Sequence, residues 1–223
     1  MLLAVDTSTQ FMGICLYDQD QVMGEMVWKT NRHHTEELAP SIDTLFHRCG
    51  AAVQDLCALG VAIGPGSFTS LRIGLSHLKG MSLALHLPMI GIPTLDVVAY
   101  AQPSADIPLV ACLQAGRKRL AYQLYEWSGR KGWQTTMDPK IATAAEFEEL
   151  FPEPVVICGE MSEDDRSFLK SVDQFKLTSP AQAFRRPAFL AEMAWKRYSK
   201  KHFDDPATLA PIYLHVANPL PAK

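Results

Sequence analysis

Hydrophobic and polar positions alternate along the chain in two periods. Compact apolar runs at 2–5, 11–17, 22–28, 59–63 and 89–92 predict strands. Apolar positions three and four residues apart predict helices at about 32–49, 67–87 and 94–101. Short links, one of them Asp18-Gln19-Asp20, join the first three strands and predict an antiparallel meander. The later strand–helix–strand units predict parallel pairing through right-handed crossovers. This is the element order of a ribonuclease-H-like lobe. Residues 102–108 (Gln-Pro-Ser-Ala-Asp-Ile-Pro) read as a linker, after which the pattern restarts. Strands are expected at 109–113, 120–127, 134–137, 155–158 and 174–177, and helices at 146–151, 163–172 and 187–200, with Pro187 at a helix N1 position. The second half thus reads as a weaker copy of the first. The expected architecture is α/β. A ribonuclease-H-like lobe over 1–103 and a shortened one over 104–223 flank a cleft, as in the actin-like ATPase (ASKHA) superfamily.

Two helices carry the sharpest patterns. In the first, Thr30 or Asn31 is the expected N-cap, Pro40 lies inside, and Leu38, Ile42, Leu45, Phe46 and Cys49 share one face. In the second, Leu71, Gly74, Leu75, Leu78, Met81 and Leu85 form one stripe. Its far side, with Ile73, Ser76, Gly80, Leu83, Ala84 and Leu87, is apolar or small as well, and only Arg72, Lys79 and His86 make a polar strip. A helix lying on a sheet needs one apolar face. The second face is buried either by other helices of the same chain or by a partner subunit. The residues expected at a partner interface are Leu38, Ile42, Leu45, Leu71, Ile73, Gly74, Leu75, Leu78, Gly80 and Met81.

Composition narrows the class. A net charge of -3 argues against a dedicated nucleic-acid binder. The five cysteines form no CxxC pair and lie mostly in apolar contexts, which reads as reduced thiols in a cytoplasmic protein. No basic leader and no apolar run of membrane-spanning length is present.

Several segments invite chemistry. Asp6-Thr7-Ser8-Thr9 fits a first phosphate-facing turn, with a carboxylate for metal or water and hydroxyls for phosphate, or else a self-capped turn. These four are the candidate cofactor-binding residues. The matching turn of the second half is Leu113-Gln114-Ala115-Gly116-Arg117, where Gln114 stands in place of a second carboxylate. Gly64-Pro65-Gly66-Ser67-Phe68-Thr69 joins a strand to a helix, but no GK[ST] follows, a third Gly is missing, and the next acid is Asp96. His33 and Glu37 are spaced as a ligand pair on a polar helix face, without an evident third ligand. No HExxH and no nucleophile elbow occurs, so neither a catalytic residue nor a metal site is assigned. Arg117-Lys118-Arg119, and Arg185-Arg186 with Lys196-Arg197, read as solvated faces or phosphate contacts.

These segments resemble the TsaB (YeaZ) family. Gly64-Pro65-Gly66-Ser67-Phe68-Thr69-Ser70-Leu71-Arg72-Ile73-Gly74 with Lys79-Gly80 is similar to its GPGSFTGLRIG…KG signature. Asp6-Thr7-Ser8-Thr9 is similar to its opening DTST, the His33/His34…Glu37-Leu38…Pro40 segment to its HSExLLP, and Pro211-Ile212-Tyr213-Leu214-His215 to its PxYLR ending. Ser70, His215 and Gln114/Gly116 depart from the family pattern. The resemblance implies a two-lobed actin-like fold and a non-catalytic partner of TsaD in making N6-threonylcarbamoyladenosine in tRNAs that read codons starting with A. It implies a TsaE-like ATPase as further partner, indirect involvement of tRNA with direct contact left open, no cofactor of its own with ATP at the assembled complex, and a subunit contact through the first two helices, either with TsaD or in a homodimer. TsaD holds its metal with an HxxxH helix after the fifth strand; here that segment is Pro93-Thr94-Leu95-Asp96-Val97-Val98, without histidine. The alternatives are an actin-like ATPase or phosphotransferase using Asp6, and an inactive metallo-glycoprotease homologue.

Overall fold

The computed structural model describes residues 1–31, 33–116 and 118–214. Strands β1 (Leu2–Asp6), β2 (Phe11–Asp18) and β3 (Gln21–Lys29) form the expected meander. Helix α1 (His34–Cys49), β4 (Ala58–Ala62), α2 (Phe68–Leu85), β5 (Met89–Ile92) and α3 (Thr94–Tyr100) follow. The first sheet has the order β3-β2-β1-β4-β5, with β1, β4 and β5 parallel. The second half supplies β6 (Leu109–Gln114), β7 (Leu120–Trp127), β8 (Trp133–Thr135), β9 (Lys140–Ala142), α4 (Phe147–Leu150), β10 (Val155–Gly159), α5 (Glu163–Lys170), β11 (Phe175–Leu177) and α6 (Pro187–Ser199). Its sheet runs β11-β10-β6-β7-β8, the same path drawn in reverse, with β9 added beside β7. The repeat that the hydrophobic pattern suggested is therefore a repeat of topology, and both lobes are ribonuclease-H-like.

The central strands of each sheet are covered on both faces, which is why β1, β4 and most of β6 read as continuous apolar runs. In β1, Leu3 and Val5 pack toward α1 and α2, while Leu2 and Ala4 pack toward α6. Helix α6 follows the second sheet in sequence yet lies on the first, with Ala188, Leu190, Ala191 and Ala194 buried against it. Conversely, Leu95, Val98 and Ala99 of α3 pack on Leu109, Ala111, Leu113 and Tyr125 of the second sheet. Each half thus contributes its last helix to the other half's sheet. The boundary expected at 103/104 assigns α6 to the second lobe; its packing is with the first. Side chains of α4 and α5, with Phe151 just after α4, cover the second sheet's other face through Phe147, Phe151 and Leu169.

Local details differ from expectation in a few places. Helix α1 starts at His34, with His33 as N-cap; Thr30 accepts the His33 N–H through its hydroxyl at 3.1 Å rather than capping the helix itself. Arg32, Arg117 and His215 lie outside the described residues. All five cysteines are free thiols, and burial pushes Cys158 up to about 11 and Cys15 and Cys112 higher still. Among the described residues no helix is long and apolar enough to cross a membrane.

Candidate functional site

The opening turn of the first lobe is fully engaged by its own chain. Asp6 accepts the Ser8 N–H on Oδ1 at 2.8 Å and the Arg185 guanidinium on Oδ2 at 2.6 Å. Arg185 also donates to the Thr9 hydroxyl at 3.1 Å and to the Glu160 carboxylate. Thr7 donates to the Ser70 carbonyl at 2.6 Å, and the Ser8 hydroxyl meets that of Thr94 at 2.8 Å. Asp6 and Arg185 are 4% and 5% exposed. The two carboxylates hold the Arg185 guanidinium well above its ordinary range, against the opposing effect of burial. A positive group from the second lobe thus sits where a phosphate-facing turn would present its carboxylate to a metal.

The Gly64-Pro65-Gly66 turn locks onto the same segment. A Cβ on Gly66 would lie 2.3 Å from the Ser8 carbonyl oxygen, which only glycine avoids. The Ser67 N–H donates to that oxygen at 2.7 Å, and Gly64 N–H donates to Thr94 Oγ1 at 3.0 Å. The chain's tail closes over the turn: Ile212 N–H donates to the Ile63 carbonyl at 2.7 Å, and Tyr213 stacks with Phe68 and accepts from Arg72 Nε at 3.0 Å. Between the lobes lies an open cleft of about 1130 Å³, lined by Ser8 and Thr9 on one side and Gln114, Ala115 and Glu160 on the other.

Other candidate ligands are kept apart. His33 is exposed, 3.4 Å from Glu36, whereas Glu37 accepts the Trp28 indole N–H at 2.6 Å. In α3, Asp96 accepts the Tyr125 hydroxyl at 2.7 Å, and burial pushes its carboxyl above the usual range. Among the described residues no group of three or more His, Cys, Asp or Glu is placed to hold a metal.

Helix α2 separates the two readings of its double-faced pattern. Leu75 and Leu78 turn inward onto the first sheet, as do Leu38, Ile42 and Leu45 of α1, while Leu71 and Gly74 are buried against the turns at Gly64 and Thr7. These seven, expected at a partner interface, are buried: the larger aliphatic stripe turns inward. Ile73 and Met81 are half-buried at its margin. Gly80 is the member of the expected set that is exposed, and a Cβ there would meet nothing within 4 Å. Around it Ser76, Ala84 and Leu83, the last 79% exposed, form an outer face left open among the described residues. The sequence reading placed Leu83 on the far side of this helix but left it out of the interface set, read Arg185 as a solvated or phosphate-contacting cation, and missed Glu160 in the cleft. Arg185 sits in an Arg-Arg pair before a helix, a context that normally marks solvated cations.

A family model described as "TsaD: tRNA N6-adenosine threonylcarbamoyltransferase" matches residues 22–183. The tRNA threonylcarbamoyladenosine biosynthesis protein TsaB of Bacillus subtilis (strain 168) is 28% identical over 97% of this chain and 94% of its own length. The chain belongs to this family, on its TsaB/YeaZ branch. TsaB of Escherichia coli (strain K12) is 35% identical over a shorter region, 44% of this chain and 42% of that one. Among solved structures, YeaZ from Pseudomonas aeruginosa matches with a TM-score of 0.76 at 19% identity, covering 96% of this chain and 99% of that one. The YeaZ fold is thus shared across nearly the full length, with its two sheets of matching strand order.

Proposed function

We propose that this chain is a non-catalytic scaffold subunit of the machinery that makes N6-threonylcarbamoyladenosine in tRNAs reading codons that begin with A. It docks a TsaD-like catalytic subunit through the outer faces of α1 and α2. The observation that carries this reading is the uncovered face of α2 around Gly80 and Leu83. Helices of 16 and 18 residues are about 24 and 27 Å long and about 10 Å wide, so together they offer on the order of 500 Å² in projection. Side-chain relief brings that toward the ~800 Å² per partner of an ordinary stable interface.

The state of Asp6 supports a structural rather than a phosphotransferase role. Both its oxygens are engaged within the chain, and the guanidinium of Arg185 already neutralises it. The metallo-glycoprotease alternative finds Thr94 and Asp96, both hydrogen-bonded internally, in the segment where TsaD carries its ligands. In this reading a TsaE-like ATPase joins the pair in the cytoplasm and ATP binds only at the assembled complex. The isolated chain forms a homodimer through the same α2 face. The test is nucleoside mass spectrometry of tRNA from a strain lacking the chain. Loss of threonylcarbamoyladenosine, restored by the wild type but not by Leu83→Arg, is expected. Full restoration by Leu83→Arg excludes the docking role of this face.

A further inference from the structure

The hairpin linking β7 and β8 reads Trp127-Ser128-Gly129-Arg130-Lys131-Gly132-Trp133. Its two tryptophans are cross-strand partners, with ring centroids 5.4 Å apart at 75°. They differ in what they do. Trp133 donates its indole N–H to the Gln102 carbonyl at 3.2 Å and packs beside α3, so it anchors the hairpin to the body of the protein. Trp127 is propped edge-on against Trp133 and remains 42% exposed. Cross-strand pairing accounts for one ring edge of Trp127 and leaves an indole surface open to solvent.

The tip between them is a fixed turn. Lys131 N–H donates to Ser128 O at 3.0 Å, Gly132 N–H to Gly129 O at 3.1 Å, and Ser128 N–H to Gly132 O at 3.0 Å. Gly129 and Gly132 take φ of 52° and 73°, the left-handed region that glycine enters at little cost. This turn presents Arg130 and Lys131, both exposed, and neither is in an ion pair among the described residues. The basic residues near α6 are different: Arg186, Lys196 and Arg197 are neutralised by Glu25, Glu192 and Asp204. The neighbouring acid Glu126 alternates to the opposite face of the strand from Trp127.

We propose that this hairpin tip is an RNA contact of the chain, Trp127 stacking on an unpaired base while Arg130 and Lys131 meet backbone phosphates. The inference rests on the tRNA-modification reading above. Two unpaired cations held beside an open indole face match the alternating base and phosphate chemistry of a looped RNA strand. A protein partner would instead need to bring carboxylates to the tip. The site is compatible with docking on α2. Strand β7 starts beside the cleft-lining turn at Gln114 and runs away from it, which puts the tip at the far end of the second lobe.

The test is tRNA binding by the complex of this chain with its TsaD-like subunit, followed by fluorescence anisotropy of an unmodified transcript across a KCl series. Arg130→Glu with Lys131→Glu is expected to weaken binding at least tenfold and to flatten the log-affinity against log-salt slope by about 1–2. Trp127→Ala is expected to weaken binding roughly 5- to 100-fold with the slope unchanged, and Trp127→Phe to restore part of it. Lys176→Glu, exposed on β11, serves as the control. Unchanged RNA affinity in the hairpin variants overturns the proposal and leaves the scaffold reading standing. So does a loss of subunit association at unchanged RNA affinity, which would assign the tip to a protein. A wild-type complex that forms but binds no tRNA overturns the RNA contact alone, whereas failure to form any complex removes the scaffold reading on which it rests.

Discussion

Arg185→Ala should be among the most damaging single changes available outside the aliphatic core. The guanidinium spans the two lobes, holding Asp6 and Thr9 of the first and Glu160 of the second. Truncation leaves Asp6, 4% exposed, with the Ser8 N–H as its remaining partner. Removing one partner of a buried pair typically costs about 3–5 kcal/mol, because the abandoned charge is worse off than an apolar group would be. Glu160 adds less, since its side chain is 16% exposed and can rehydrate. For a chain of this length, each kcal/mol lowers Tm by about 2–4 °C, so the expected fall is roughly 6–20 °C. Urea unfolding read by near-UV circular dichroism measures it, and Arg185→Lys should lose less, roughly 1–3 kcal/mol, because one ammonium cannot serve the same fork of acceptors. The Asp6→Leu, Arg185→Met double variant should be more stable than Arg185→Ala, as the buried charge goes with its partner. A loss under about 1 kcal/mol in Arg185→Ala would refute the clamp and return Asp6 to the list of residues free to bind a ligand.

Other consequences are simpler to read. Gly66→Ala should destabilise by about 1–3 kcal/mol in urea, since its Cβ would force the Ser8 carbonyl away and break the Ser67 N–H bond. Asp96→Asn should raise Tm more at pH 7 than near pH 4. Burial lifts the folded Asp96 carboxyl above its unfolded value, so the folded state holds more protons in that window and Asp96 costs stability as pH rises through it. The asparagine keeps an acceptor for Tyr125 and removes that cost; an equal gain at both pH values would contradict the argument. Leu75→Arg should unfold the chain, because Leu75 is core, and a folded variant by circular dichroism would contradict the inward face of α2.

Much of the fold was legible because period alone decides it. The apolar runs of β1, β4 and β6 and the single stripe of α1 fix strand and helix without tertiary information. The shared order of the two sheets followed from the repeat. The exchange of α3 and α6 between sheets was not legible, since an apolar stripe says that a helix is covered and not by which sheet. Strand β9 was missed because Lys140-Ile141-Ala142 is too short to show alternation. The interface reading went astray for a related reason. Both sides of α2 are apolar or small, and most of the residues chosen came from the stripe Leu71, Gly74, Leu75, Leu78 and Met81, the side that turns toward the body of the first lobe. The outer face is made of Gly80 from the chosen set together with Ser76, Ala84 and Leu83, small residues around one exposed aliphatic. Arg185 was illegible locally, because its partners at 6, 9 and 160 come from elements far away in sequence.

The account turns on the outer face of α2, and a titration of the purified chain into its TsaD-like subunit tests it directly. The wild type should bind, and Leu83→Arg should bind at least tenfold more weakly, about 1.4 kcal/mol, while its unfolding midpoint stays within ~0.5 kcal/mol of the wild type. Equal affinity of the two, with both chains folded, would contradict it.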